Sequence, residues 1–241
     1  MSTPVLSVVL PLYRTGQFVP ELVDRLAVAL AAVGGVELVF VDDGCPEASY
    51  RQVPARSAGA LSVVVLRHDR NRGQIAAVRT GLRRATGSFV AVMDTDLQDA
   101  PEDLPVLLDE LVRSGGDAVA AGRRGDYEAR GRMLTGRLYR RAVHVLSRGI
   151  VPPDAGLFMV MRGEIARRVV SLGEGSVHPV PALARLGARI ATVAVDRRPR
   201  PDGSSSYGAG GRLTVAVRNL LVLTPAYPVL RWASALGRRA R

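Results

Sequence analysis

Four short runs of β-branched and apolar residues, each followed by polar turn chemistry and then a helical stretch, constrain this chain more than any other feature. Val5–Leu10, Val36–Val41, Leu61–Leu66 and Ser88–Met93 read as buried strands. Between the first two, Phe18, Leu22, Val23, Leu26 and Leu30 recur at helical spacing, and Gln74–Ala85 and Glu102–Arg113 read as helices. Pro101 followed by Glu102 and Asp103 is a helix start, because proline presets φ and acids suit the positive end of the dipole. Strands alternating with helices imply right-handed crossovers and a mostly parallel sheet flanked by helices.

The rest of the chain is less regular. Arg130–Arg148 reads as a basic helix, Leu157–Met161 and Arg189–Val195 as strands, Asp202–Gly211 as a flexible loop, and Leu213–Leu236 as an apolar tail punctuated by arginine. No linker separates two cores, so residues 1–211 are expected to form one α/β domain and 212–241 a basic helical tail. Within the domain, 1–122 and 123–211 differ in charge. Residues 1–122 carry 11 Arg against 15 Asp and Glu, a net of −4; residues 123–241 carry 22 Arg against 7, a net of +15, and these sum to the overall +11. There is no lysine.

Several classes fall away on these counts. One cysteine permits no internal disulfide and no cysteine-built zinc cage. The N-terminus lacks the basic start and apolar core of a signal peptide, and no stretch reaches the roughly 20 apolar residues that span a bilayer. The chain is therefore expected in the cytoplasm, with peripheral contact at a membrane face. The basic second half raises nucleic-acid binding, but it lacks a reader motif, and aromatic residues make up 5% of the chain, so that class is set aside. No G-x-G-x-x-G follows the first strand, which argues against a dinucleotide-binding dehydrogenase.

Ligands of open parallel sheets bind beyond the carboxyl ends of the strands. The acids gather there: Asp42-Asp43-Gly44 ends one strand and Asp94-Thr95-Asp96-Leu97-Gln98-Asp99 ends another. Asp94 and Asp96 share one side if the chain stays extended, and hard oxygen ligands with room for phosphate oxygens suit Mg²⁺ or Mn²⁺. The other reading is a polar turn in which Asp99 caps the following helix.

The segments VLSVVLPLY, VELVFVDDG, RNRGQIAAVRTGL and FVAVMDTDLQDAPEDLP, in that order and spacing, resemble the nucleotide-binding half of family 2 glycosyltransferases with the GT-A fold. DTDLQDAPEDL most resembles the polyprenyl-phosphate branch, whose type enzyme is dolichol-phosphate mannosyltransferase. The resemblance covers roughly 4–207 and implies transfer of a sugar from a nucleoside-diphosphate-sugar donor to a lipid phosphate, with inversion and a divalent metal. Pro11 and Tyr13 would line the base pocket, Asp42 and Asp43 would bond base and ribose, and Asn71 and Gly73 would close the floor. For Tyr13, core packing is the other reading. Asp94, Asp96 and Gln98 would hold metal and diphosphate. Arg14-Thr15 and Cys45-Pro46 depart from the family's Asn-Glu and Ser-Thr, which leaves the base open.

On the acceptor side, Arg123, Arg132, Asp154 and Arg200 match positions in the family's later motifs, while Leu157 stands where an acid is usual and Ser206 where a lysine is usual. Arginine gives bidentate, permanently charged contacts to phosphate. An ionised phosphate needs no general base, whereas a hydroxyl acceptor on a soluble metabolite or polysaccharide would. Asp154 is the residue for that role, or for orienting Arg123 or Arg132, or for capping a turn after Pro152-Pro153. Arg137, Arg140, Arg141 and Arg148 read either as a solvated face or as a face toward anionic lipid. Residues 213–236 have the composition of an interfacial segment, with membrane contact, a subunit face in a homo-oligomer, and packing on the domain all open.

Overall fold

The computed structural model describes residues 4–54, 61–124, 139, 141–172, 178–196 and 220–224. Its centre is a seven-stranded sheet in the order β3-β2-β1-β4-β6-β5-β7. The strands are β1 (Leu6–Leu12), β2 (Val36–Asp42), β3 (Leu61–Arg67), β4 (Phe89–Val92), β5 (Ala118–Arg124), β6 (Ala155–Arg162) and β7 (Ile190–Asp196). Six run the same way, and β6 is antiparallel to both neighbours, β4 and β5. The helices are α1 (Val19–Ala29), α2 (Gln74–Arg84), α3 (Asp103–Ser114), α4 (Gly163–Ser171) and α5 (Pro179–Arg185).

Alternation along the strands sorts the core into two layers. In β1, Leu6, Val8, Leu10 and Leu12 pack with Leu22 and Leu26 of α1 and Leu104, Leu107 and Leu111 of α3. Val9 points the other way, to Ala77, Val78 and Leu82 of α2 and to Ile165 and Val169 of α4. Helices on both faces explain why β1 and β2 are buried at every position and read as continuous apolar runs. Gly81 lets α2 lie close, since a Cβ there would stand 2.2 Å from Val9 Cγ1.

The expected strands and first three helices are present, with ends shifted by a residue or two. Pro101 heads a turn rather than the helix: the Asp103 N–H donates to Ala100 O, and α3 starts at Asp103. The basic helix expected over Arg130–Arg148 is helical at 141–146, and 130–138 lies outside the described residues. Within the tail, Val222 is fully buried in the core and accepts at its carbonyl from Arg185 Nη1 at 3.3 Å, so 220–224 pack onto the domain. The loop 202–211 and the remainder of 213–236 lie outside the described residues. Among the described residues no helix is long and apolar enough to cross a membrane.

At the sheet edge where β1, β2 and β4 begin, Glu37 is 4% exposed and ties four segments together. It accepts from Ser7 Oγ (2.6 Å), Arg84 Nη1 (2.7 Å) and the Thr86 N–H (3.1 Å), while Ser7 Oγ accepts from the Gly87 N–H (2.8 Å). Arg84 is 40% exposed, so its ion pair contributes little beyond the hydrogen bonds. Glu37→Leu strands buried donors and is expected to lower stability by about 2–4 kcal/mol in urea unfolding.

Candidate functional site

The site edge collects the C-terminal ends of the six parallel strands and the N-terminal end of antiparallel β6. Asp42, Arg123 and Ala155 therefore share one edge: the register pairs Leu12 with Asp42, Arg123 with Val195 and Gly122 with Ala155. Pro11 is tolerated inside the sheet because β1–β4 pairing stops at Val9 with Val92, and its carbonyl accepts from Thr95 Oγ1 at 2.9 Å. Thr95 also meets Thr15 Oγ1 at 2.7 Å, joining the β1 and β4 loops. Tyr13 is half-buried, with the Arg14 guanidinium 5.6 Å from its ring centroid.

The two aspartates after β2 are each 2% exposed, and both organise loops. Asp42 accepts the Cys45 N–H (2.9 Å) and the Tyr50 N–H (3.2 Å). Asp43 accepts the Arg72 N–H on Oδ1 (2.9 Å) and the Gly73 N–H on Oδ2 (2.7 Å), and its Oδ1 meets His68 Nδ1 at 2.7 Å. His68 Nε2 meets Thr80 Oγ1 at 2.9 Å, so one chain of contacts runs from Asp43 through His68 to α2. Asn71 Oδ1 accepts the same Gly73 N–H at 3.0 Å, and Gly73 has φ +91°. The turn expected to close the floor of the nucleotide site is thus held from beneath by Asp43.

Cys45 replaces the usual serine without breaking this loop. Its Sγ accepts the Arg14 N–H at 3.2 Å and meets Ser49 Oγ at 3.1 Å. Burial pushes the thiol up, but hydrogen bonds from Ser49 and from the backbone at Arg14, Ser49 and Glu47 outweigh it and leave the thiol below its ordinary value.

β4 ends at Val92, the chain bends from Thr95 to Asp99, and Leu97 has φ +58°. The geometry in which Asp94 and Asp96 would share a side as an extended strand therefore does not hold, and a turn places them instead. Asp94 borders a cavity and accepts from Gln74 Nε2 at 2.5 Å; Asp96, 3% exposed, accepts the Gln98 N–H at 3.2 Å. Among the described residues no three His, Cys, Asp or Glu form a group that would hold a metal by themselves. Two carboxylates and an amide fit a hard cation that takes its other ligands from a bound diphosphate and water.

The cavity has a volume of about 260 Å³. Val143, Val151, Pro152, Leu157, Val180 and Pro181 give it apolar walls, and Gln74, Asp94, Tyr139 and His178 bring polar groups. His144 Nδ1 at 2.7 Å from Val151 O, and Ser147 Oγ accepting the Val151 N–H at 3.1 Å, fix the wall between 144 and 151. Asp154 sits beside this wall and turns toward the sheet. It accepts from Thr192 Oγ1 at 3.3 Å and rests on Gly122, where a Cβ would meet its Oδ2 at 2.3 Å. The β5–β6 register shifts between Ala120 and Gly122, at the strand position Asp154 approaches. Arg132 and Arg200 lie outside the described residues, and Arg123 is described as the backbone of β5.

Gln74, Thr95, His68 and His178 are site residues to which sequence reasoning assigned no role. Gln74 follows the glycine of a recognised motif, which was the available signal. The other three become visible only through contacts across 12 to 84 residues, or through the cavity wall.

A mostly parallel sheet with acids and a cavity at its carboxyl edge defines a ligand-binding α/β enzyme fold, and the comparisons specify which one. Glucosyl-3-phosphoglycerate synthase from Mycobacterium tuberculosis, solved with Mn²⁺, uridine diphosphate and glucosyl-3-phosphoglycerate, superposes with a TM-score of 0.67 at 20% identity over 91% of this chain and 78% of that one. The same enzyme with Mg²⁺ and uridine diphosphate also gives 0.67. The architecture is the GT-A fold.

The sequence model described as "Glycosyl transferase family 2" matches residues 7–169, and the chain belongs to that family. It is 32% identical to the undecaprenyl-phosphate 4-deoxy-4-formamido-L-arabinose transferase of Pseudomonas savastanoi pv. phaseolicola, over 96% of this chain and 68% of that protein. It is 33% identical to the enzyme of the same description from Pseudomonas aeruginosa strain LESB58 (85% and 61%) and 32% identical to the dodecaprenyl-phosphate galacturonate synthase of Rhizobium johnstonii (90% and 66%). The chain thus spans 61% to 68% of the length of these curated relatives. They bear out the polyprenyl-phosphate branch that DTDLQDAPEDL resembles.

Proposed function

We propose that this chain is an inverting, metal-dependent glycosyltransferase that moves a sugar from a nucleoside-diphosphate-sugar to a polyprenyl phosphate. The observation that carries the reading is the junction of the Asp94–Asp96 turn with an apolar-walled cavity. A charged transfer point beside an apolar wall suits an acceptor that is a phosphate at one end and a hydrocarbon at the other. Relatives whose names specify undecaprenyl and dodecaprenyl phosphate support the same acceptor class.

In this reading the base and ribose lie over the loops that Asp42 and Asp43 organise, between Pro11 and Tyr13 on one side and Asn71 and Gly73 on the other. Asp94, Asp96 and Gln98 would hold Mg²⁺ or Mn²⁺, which when bound would supply positive charge to offset the charge of the diphosphate. Gln74 fixes the Asp94 carboxylate by its hydrogen bond. Arg123, Arg132 and Arg200 bind phosphate oxygens and lower the repulsion between acceptor and diphosphate. The acceptor phosphate is already ionised, so Asp154 serves as the brace of β5 beside Arg123 and no base is required. Attack on the anomeric carbon in one displacement inverts its configuration. The domain 1–211, with 220–224 packed onto it, carries this chemistry, and the basic second half makes peripheral contact with an anionic membrane face.

A thermal-shift panel of nucleoside diphosphates with and without Mn²⁺ tests the donor half. One base is expected to raise Tm by about 5–10 °C at a hundredfold over Kd, only with metal present. Equal shifts without metal, or none with any base, would overturn the donor assignment.

A further inference from the structure

We propose that Thr95 is a positioning residue that ties the acidic turn to the loop after Tyr13 through Thr15, so that the base and the diphosphate of the donor are bound cooperatively. The inference rests on the donor reading above and adds two hydroxyl groups to it. The β1–β4 ladder ends where the Met93 N–H donates to Val9 O at 3.1 Å. Two residues farther along β1, Pro11 O accepts from Thr95 Oγ1 at 2.9 Å, so a side chain carries the pairing past the end of β4 and into the turn. Thr95 is 2% exposed, and Thr15 Oγ1 lies 2.7 Å from its hydroxyl. A hydroxyl has one hydrogen, and Thr95 gives its own to Pro11, so Thr15 is the donor of the second bond. One directed chain therefore runs from Thr15 through Thr95 to Pro11.

Thr15 gives up a local bond to make this contact. It stands at the N-cap of the 3₁₀ turn Gly16–Phe18, where a threonine hydroxyl commonly accepts from the backbone, and its side chain makes no such cap bond. Arg14 before it has φ +56°, an uncommon conformation for a residue with a side chain, and its N–H is held by Cys45 Sγ. Thr15 also belongs to the Arg14-Thr15 pair that departs from the family's Asn-Glu, so the contact is built by that departure. Thr95 lies between Asp94 and Asp96, and Thr15 lies two residues after Tyr13. A bond between them fixes the base pocket relative to the pair of carboxylates. Breaking it strands the buried Thr95 hydroxyl and the buried Pro11 carbonyl, so the two loops hold one arrangement together.

Thr95→Val keeps the side chain's shape and removes the hydroxyl, while Thr95→Ser keeps the hydroxyl. Thr15→Val breaks the chain from the loop side and leaves the sequence of the acidic turn intact. The full chain is titrated by calorimetry, in Mn²⁺, with the diphosphates of adenosine, cytidine, guanosine and uridine and, separately, with inorganic diphosphate, which has no base. For the nucleoside diphosphate that binds, each valine variant is expected to weaken binding about ten- to thirtyfold, the double variant no further than Thr95→Val alone, and Thr95→Ser to stay within about twofold of wild type. Inorganic diphosphate engages the acidic turn alone, so its affinity should stay within about twofold throughout. Equal weakening of inorganic diphosphate would place the effect in the acidic turn and contradict the tie. Wild-type affinity for the nucleoside diphosphate in both valine variants would overturn this inference while the donor reading stands. If Thr95→Val does not fold, Thr15→Val decides, and unchanged affinity there contradicts the proposal. A wild-type chain that binds none of the four nucleoside diphosphates overturns the donor reading and this inference with it.

Discussion

Asp96→Asn is expected to lower kcat/KM at least about a thousandfold, roughly the loss of 4 kcal/mol of transition-state stabilisation, without unfolding the protein. Asp96 is 3% exposed and its Oδ1 accepts the Gln98 N–H at 3.2 Å. Asparagine keeps that oxygen, so the turn survives, while the negative charge that a hard cation requires is lost. Far-UV circular dichroism should be unchanged, and the metal-dependent stabilisation by nucleoside diphosphate should disappear along with transfer. Activity within tenfold of wild type would remove Asp96 from the metal site and reduce the acidic turn to a structural role.

Gly44→Ala is expected to damage both stability and donor binding, because two independent constraints meet there. Its φ is +62°, and a Cβ would stand 2.3 Å from the Arg70 carbonyl carbon and 2.6 Å from the Asn71 nitrogen. These are backbone atoms, so relief requires moving the 70–73 turn that Asp43 holds. A loss of about 2–4 kcal/mol in urea unfolding is expected, with donor KM raised at least about tenfold. Gly115→Ala is the control: φ is +63° but nothing lies within 4 Å of the added methyl. It should cost about 1–2 kcal/mol and leave donor KM alone. Equal effects at the two positions would show that backbone conformation, and not the close approach to Arg70, governs the loop.

The first half of the fold was legible because burial on both faces turns β1 and β2 into unbroken apolar runs and because α1 and α3 carry clean helical periodicity. The later elements were harder for identifiable reasons. β5, AVAAGRR, is mostly alanine and glycine, with little β-branched content to mark a strand. α5 holds prolines at 179 and 181, which read as breakers although proline is suited to a first turn. Nothing in the LFMVM run of β6 signals that it runs antiparallel, since side-chain alternation is the same either way.

The site followed the same division. Asp42, Asp43, Asp94 and Asp96 were identified by position at strand ends, but their partners were not. Asp43 reads as a ligand residue in sequence and proves to be bonded to His68, Arg72 and Gly73, contacts set by tertiary packing across 25 to 30 residues. Asp94 and Asp96 share one side only if the chain stays extended; it bends from Thr95, whose hydroxyl bonds Pro11 and Thr15, contacts across 80 to 84 residues that the sequence does not signal. The charge division of −4 against +15 matches the architecture: the acidic segment ends in β5, and the segment that forms the cavity walls is the basic one.

The central claim is tested most directly by following labelled sugar from nucleoside-diphosphate-sugars into the butanol-extractable fraction, with undecaprenyl phosphate and Mn²⁺ each present or omitted. The account predicts labelled lipid only when both are present, and an acid-labile product of inverted anomeric configuration. Transfer that proceeds equally without the lipid phosphate, or onto a water-soluble hydroxyl acceptor in its place, would contradict it.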